Sequence, residues 1–119
     1  MRKILLIEDD GTMSSLIKLL LEIEGYLVID PSGMDVDFIQ IACREMPDLI
    51  LMDVNLGDQN GLDIIKKLRE KAELKKTRVI MTSGMNLHLE CLTAGADNYV
   101  QKPFMPDDLL NMIQASFVS

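Results

Sequence analysis

Apolar and polar positions follow two rhythms along this chain. Ile4-Leu5-Leu6-Ile7, Leu49-Ile50-Leu51-Met52 and Val79-Ile80-Met81 are short apolar runs, each stopped by charged or hydroxyl residues. A run of that length without polar alternation reads as a strand buried on both faces, as in a parallel sheet covered by helices. Leu27 to Ile29 and Tyr99 to Gln101 are shorter strands of the same kind. Between these runs, apolar residues recur at helical spacing. Met13, Leu16, Ile17, Leu20 and Leu21 mark a first helix, with Thr12 as its N-cap and Gly25 as its stop. A second spans roughly Asp35 to Glu45, with Val36, Ile39, Ala42, Cys43 and Met46 on its apolar side and Pro47-Asp48 interrupting it. Leu62, Ile65, Leu68 and Ala72 mark a third, and Leu89, Leu92, Thr93 and Ala96 a fourth with Asn86 as its cap. The last opens with Pro106-Asp107-Asp108, where a fixed φ and first-turn acids suit a helix N-terminus.

Five strand-then-helix units predict an α/β fold: a doubly wound, flavodoxin-like parallel sheet of five strands in the order 2-1-3-4-5, with five helices. With 119 residues the chain suits one domain over 1–119. Its 48% hydrophobic content argues against disorder. No apolar run approaches the roughly 18 residues of a membrane span. Met1-Arg2-Lys3 enters strand-like sequence directly, without the apolar stretch and cleavage site of a secretory signal, so a cytoplasmic location is expected. Cys43 and Cys91 lie in helical patterns with no second cysteine at metal spacing and read as buried thiols. A net charge of −7 disfavours direct binding to nucleic acid.

Charge changes the picture where it falls at the strand ends. In an open parallel sheet, ligands bind outside the carboxyl ends of the strands. Glu8 and Asp9 follow the first strand, Asp53 ends the third, Ser83 ends the fourth and Lys102 follows the fifth. Any one of these alone is an ordinary acidic turn, turn cap or solvated lysine; four successive strand ends together are not explained that way. Carboxylates gathered there repel one another unless a cation or a lysine neutralises them. Hard carboxylate oxygens, a backbone carbonyl and water are what Mg²⁺ accepts. A carboxylate can act as a nucleophile and form an aspartyl phosphate, a reaction that needs mainly positioning and charge stabilisation. Asp53 is assigned that role because its strand is central. Lys102 supplies a fixed positive charge and Ser83 a hydroxyl donor.

The ordered set Ile4-Leu5-Leu6-Ile7-Glu8-Asp9-Asp10, Pro47-Asp48-Leu49-Ile50-Leu51-Met52-Asp53, Gly61-Leu62, Met81-Thr82-Ser83-Gly84, Gly95-Ala96-Asp97 and Lys102-Pro103-Phe104 resembles the receiver domain of two-component response regulators over essentially the whole chain. The resemblance implies that Asp53 accepts phosphate from a sensor histidine kinase or phosphotransfer protein. It implies that Glu8, Asp9 and Asp53 hold Mg²⁺ with the backbone carbonyl of Asn55, and that Lys102 pairs with the phosphoryl group ahead of a cis Lys102–Pro103 bond. The family register picks Ser83 over Thr82 as the switch hydroxyl and Tyr99 as the switch aromatic. Partners would then read the face of the fourth helix, fifth strand and fifth helix, which includes Leu87, His88 and Met105. His88, the single histidine, reads as a surface residue.

The chain departs from the family pattern in places. Glu8 stands where aspartate is more frequent, which leaves metal binding intact through water. Gly57 replaces a common proline, predicting a looser loop after Asp53. The stretch from Gly33 to Pro47 is about two residues longer than is common, predicting an extended second helix. Asn55 and Met85 occupy places that tune dephosphorylation in the family.

Two other classes of function compete. An aspartate-nucleophile phosphatase of the haloacid dehalogenase type would want a second acid two residues after the nucleophile, where Asn55 stands, and a cap domain. A pseudo-receiver, binding partners without phosphorylation, would not require the intact set of Glu8, Asp9, Asp53, Ser83 and Lys102. The expectation is a phosphoacceptor signalling domain rather than a turnover enzyme, acting on a downstream protein or fused output domain and touching neither nucleic acid nor membrane itself. The cognate kinase, the pathway, the oligomeric state and the lifetime of the phosphorylated form are not legible in the sequence.

Overall fold

The computed structural model describes residues 1–31 and 37–117. Five strands, β1 (Lys3–Ile7), β2 (Leu27–Ile29), β3 (Leu49–Asp53), β4 (Arg78–Ser83) and β5 (Asn98–Gln101), form one sheet in the order β2-β1-β3-β4-β5. Every neighbouring pair in it is parallel. The helices are α1 (Gly11–Ile23), α2 (Phe38–Glu45), α3 (Gly61–Glu70), α4 (His88–Ala94) and α5 (Pro106–Ser116). The doubly wound order read from the sequence is the order observed.

Strand alternation splits the core into two layers. Leu5, Ile7, Ile50, Met52, Val79 and Met81 face one side and pack with Ala42 of α2, Ile64, Ile65 and Leu68 of α3, and Cys91 of α4. Ile4, Leu6, Leu49, Leu51 and Ile80 face the other, against Ile17 and Leu21 of α1 and Leu109 and Ile113 of α5. Because successive strand residues point to opposite faces, a continuous apolar run can serve both layers. Each such side chain taken fully out of water contributes about 1.5–3 kcal/mol.

Several local expectations are corrected. Asp10, not Thr12, caps α1, accepting from the Thr12 and Met13 N–H groups at 3.0 and 3.1 Å; a carboxylate at that position satisfies two orphan donors at once. Leu16 lies on the outer side of α1, 52% exposed, where Ser14 takes a core position and donates to Asp30 at 2.7 Å. The second helix is not extended. It starts at Phe38 behind an Asp37 cap and stops at Met46, whose φ of 46° precedes Pro47. Val36 and the predicted start at Asp35 lie outside the described residues. β3 does end at Asp53 as expected, and beyond it Val54 donates across to Thr82 at 2.9 Å. α3 ends at Glu70, so Ala72 belongs to a separate short turn, Ala72–Leu74. Asn86 does not cap α4, whose N-cap residue is Leu87 without any side-chain bond. Leu89 and Leu92 point outward while Cys91 is buried, and Cys43 is only half-buried.

The loop after Asp53 is a paired ribbon rather than a loose turn. Asn55–Leu56 runs antiparallel to Gln59–Asn60, and Gly57 takes φ +66° in the turn between them. Proline, locked near −65°, cannot adopt that angle, which accounts for glycine there.

Candidate functional site

Strand register sets the depth of each functional side chain. Ile7 pairs with Met52, Met52 with Met81, and Met81 with Tyr99. One step further toward the carboxyl edge come Glu8, Asp53, Thr82 and Val100; a second step brings Asp9, Ser83 and Gln101, with Lys102 beyond. Gly61, at the start of α3, lets that helix close against the end of β3. A Cβ there would meet the Asp53 carbonyl oxygen at 2.5 Å and the Val54 Cα at 2.9 Å, distances no real side chain occupies.

Lys102 ties the edge together. Its Nζ donates to Glu8 Oε1 and to Asp53 Oδ2, each at 2.7 Å. The two carboxylate side chains are only 3% and 8% exposed, and that of Lys102 is 20% exposed. Asp53 Oδ1 accepts from the Asn55 N–H at 3.0 Å, and Glu8 Oε2 from the Asp10 N–H at 3.3 Å. Asp9 stands exposed at the mouth, its Oδ2 3.7 Å from where a Cβ on Gly57 would lie. Burial pushes the Glu8 carboxyl above its ordinary value; Lys102 draws it down and Asp53 pushes it up again. Burial pulls the Lys102 ammonium down, but its bonds to Asp53 and Glu8 outweigh that and hold it above its ordinary value.

One carboxylate oxygen each from Glu8, Asp9 and Asp53 lies within 4.8 Å of the others. A hard, all-oxygen set with one open side fits Mg²⁺, which keeps several waters, better than a softer metal. On the other flank, Ser83 is fully buried and its Oγ accepts from the Met85 N–H at 3.0 Å, leaving its hydroxyl hydrogen to donate. The Lys102–Pro103 peptide is cis, and the Lys102 N–H donates to the Ser83 carbonyl at 2.8 Å.

Tyr99 lies one layer below, 7% exposed. Its hydroxyl donates to the Met85 carbonyl and accepts from the Leu87 N–H at 3.3 Å. Its ring is stacked by His88, a contact that nothing in the sequence signals because the two residues are brought together only by α4 packing on β5. Leu87 is half-buried against the core rather than exposed, whereas His88 and Met105 are exposed as expected.

Arg69 is the other residue that sequence reading missed. From α3 it donates to the carbonyls of Gly95 at 3.0 Å, Leu74 at 3.0 Å and Thr77 at 2.7 Å, and to Asp97 Oδ2 at 2.9 Å. Its partners are scattered over 28 positions of sequence, so no spacing pattern could have revealed it.

A family model described as the response regulator receiver domain matches residues 4–114. The transcriptional regulatory protein CpxR of Escherichia coli is 38% identical over 118 residues, which cover 97% of this chain and 49% of that protein. The chain thus spans about half the length of such curated relatives. Among solved structures, the chemotaxis protein CheY4 of Vibrio cholerae is 25% identical with a TM-score of 0.88, covering 98% of this chain and 99% of that one. The receiver domain of a sensor histidine kinase from Pseudomonas aeruginosa is 26% identical with a TM-score of 0.84, covering 96% and 95%. Its structure carries a magnesium ion in the active-site cleft.

Proposed function

The chain belongs to the response regulator receiver family of two-component systems, and from that premise we propose that it is a phosphoacceptor domain, one unit over 1–119, that takes a phosphoryl group onto Asp53. The observation that carries this is the Lys102 ammonium held 2.7 Å from both Asp53 and Glu8 at the carboxyl edge of the central strands. An oxygen of the Asp53 carboxylate attacks the phosphorus of a phosphohistidine on a kinase or phosphotransfer protein. The O–P bond forms as the P–N bond breaks, and the imidazole leaves with the electron pair and is protonated from solvent. Asp53 is buried and anchored by the Asn55 N–H, so its attacking position is fixed before the donor arrives. Lys102 sits where charge builds on the transferred group, and Ser83, whose carbonyl accepts from the Lys102 N–H, ends the neighbouring strand with a hydroxyl hydrogen to donate.

Glu8, Asp9 and Asp53, with the Asn55 backbone carbonyl, would hold Mg²⁺. When bound, the ion would screen the negative phosphoryl group from the surrounding carboxylates. Ser83, drawn toward the new phosphoryl oxygens, would release its bond to Met85. Tyr99, bonded to the same turn, would act as the switch aromatic and pass the change to the α4–β5–α5 face. A local change in charge then biases a two-state surface. What reads that surface is a downstream protein or a fused output domain; CpxR, with about twice this chain's length, is named as a transcriptional regulator. The whole arrangement is intracellular signalling chemistry and needs no membrane contact by this chain; among the described residues no helix is long and apolar enough to cross a membrane.

The test is phosphotransfer from a radiolabelled, autophosphorylated histidine kinase. Label should pass to the wild-type chain in an acyl linkage cleaved by alkali and by hydroxylamine, and not pass to Asp53→Asn. Label retained by Asp53→Asn, or found on a hydroxyl residue, would overturn the reading.

A further inference from the structure

One turn of backbone holds Tyr99 from two sides. Its hydroxyl lies between the Met85 carbonyl and the Leu87 N–H. The next residue, His88, opens α4 and lays its imidazole over the Tyr99 ring, with centroids 5.6 Å apart and planes tilted by 17°. That is an offset stack, a favoured arrangement for an aromatic pair. An exposed polar side chain at a helix start ordinarily extends into water; this one lies flat on a ring that is itself 7% exposed. α4 also has no side-chain cap, since Leu87 at its N-cap position makes no such bond. The start of this short helix is therefore attached to Tyr99 at two points, hydroxyl and ring face, in place of a cap of its own.

We propose that His88 is a positioning residue for the switch aromatic, its imidazole clamping Tyr99 inward so that tyrosine orientation and the first turn of α4 move together. The proposal rests on the reading of Tyr99 as the switch aromatic. If inward Tyr99 marks the state in which Asp53 accepts the phosphoryl group, whatever holds Tyr99 inward raises the fraction of chains ready to react, and with it the rate of phosphorylation. Stacking needs a flat ring, not a charge, so an aromatic replacement should preserve the clamp where a small one removes it.

The experiment compares wild type, His88→Ala, His88→Phe and Tyr99→Ala. Ring resonances are read by NMR on tyrosine-labelled protein, and the initial rate of phosphorylation is read with acetyl phosphate and Mg²⁺. The chain has two tyrosines, and Tyr26, packed near Phe117 at 6.0 Å, serves as internal control. In His88→Ala the Tyr99 ring should lose its cross-peaks to Met85 and Leu87 while Tyr26 is unchanged. The phosphorylation rate should fall roughly two- to twelve-fold, the scale of one aromatic pair, and His88→Phe should restore both. Unchanged Tyr99 cross-peaks in His88→Ala overturn the clamp. A rate lowered by Tyr99→Ala but not by His88→Ala overturns it too, while leaving the switch role of Tyr99 standing. Rates unchanged in both variants overturn the clamp together with that role.

Discussion

Replacing Lys102 with methionine keeps the length and apolar stem of the side chain but removes the charge shared by Glu8 and Asp53. Both carboxylates are nearly buried, with Lys102 Nζ at 2.7 Å from each. Removing one partner of a buried pair costs about 3–5 kcal/mol, chiefly because the remaining charge is left unpaired. Lys102 is 20% exposed, so water reaches the gap and the expected loss is about 2–3 kcal/mol. At the roughly 0.25 kcal/mol per degree of a domain this size, that lowers Tm by about 8–12 °C. The assay is thermal unfolding by circular dichroism at neutral pH in EDTA. Mg²⁺ supplies charge to the same carboxylates, so it should raise the Tm of Lys102→Met more than that of wild type. Acid should also narrow the gap, because protonating the buried Glu8 carboxyl, held above its ordinary value, removes the repulsion. At the alkaline end the gap narrows as well. The folded-state ammonium is held above its ordinary 10.5, so its stabilisation is present below that value and disappears as pH rises through the higher folded one. A variant within about 3 °C of wild type at neutral pH, or a gap that widens in acid, would refute the reasoning.

Glu8→Gln should raise Tm at neutral pH in EDTA, because burial makes the folded state prefer a neutral group there. The advantage should vanish as pH falls to and below the ordinary carboxyl value of 4.5, where Glu8 is protonated in both states. The same variant should gain less from Mg²⁺ in the same melts. Arg69→Gln should lose about 2–4 kcal/mol in urea titration, since it strips charge-assisted bonds from three carbonyls and Asp97. Phosphorylation of Asp53 should survive that change under conditions where the variant is folded. The Cys91 thiol, fully buried and pushed up to about 11, should react with a thiol reagent at mildly alkaline pH far more slowly than half-buried Cys43. Equal rates in folded protein would contradict the placement of α4.

The strand ends were legible because two strong signals coincide there. Uninterrupted apolar runs locate the strands, and the first polar residue after each run lands on the carboxyl edge. Glu8 and Asp53 follow that rule, while Ser83 and Lys102 each stand one residue further, behind Thr82 and Gln101. Helix faces were less legible. Periodicity marks Leu16, Leu89 and Leu92 as apolar, but cannot tell a residue facing the sheet from one left on the surface. Caps failed for a similar reason: Asp10 and Thr12 are both good N-caps, and only the chain's exit from β1 chooses between them. The contacts of Arg69 and the His88–Tyr99 stack depend on elements far apart in sequence, so they belong to tertiary packing alone.

Intact-mass spectrometry after incubation with acetyl phosphate, with and without Mg²⁺, tests the central claim most directly when run beside Asp53→Ala. The account predicts one added phosphoryl group on the wild type in Mg²⁺, little in EDTA and none on the variant. A phosphoryl group on Asp53→Ala, or equal gain without the metal, would contradict it.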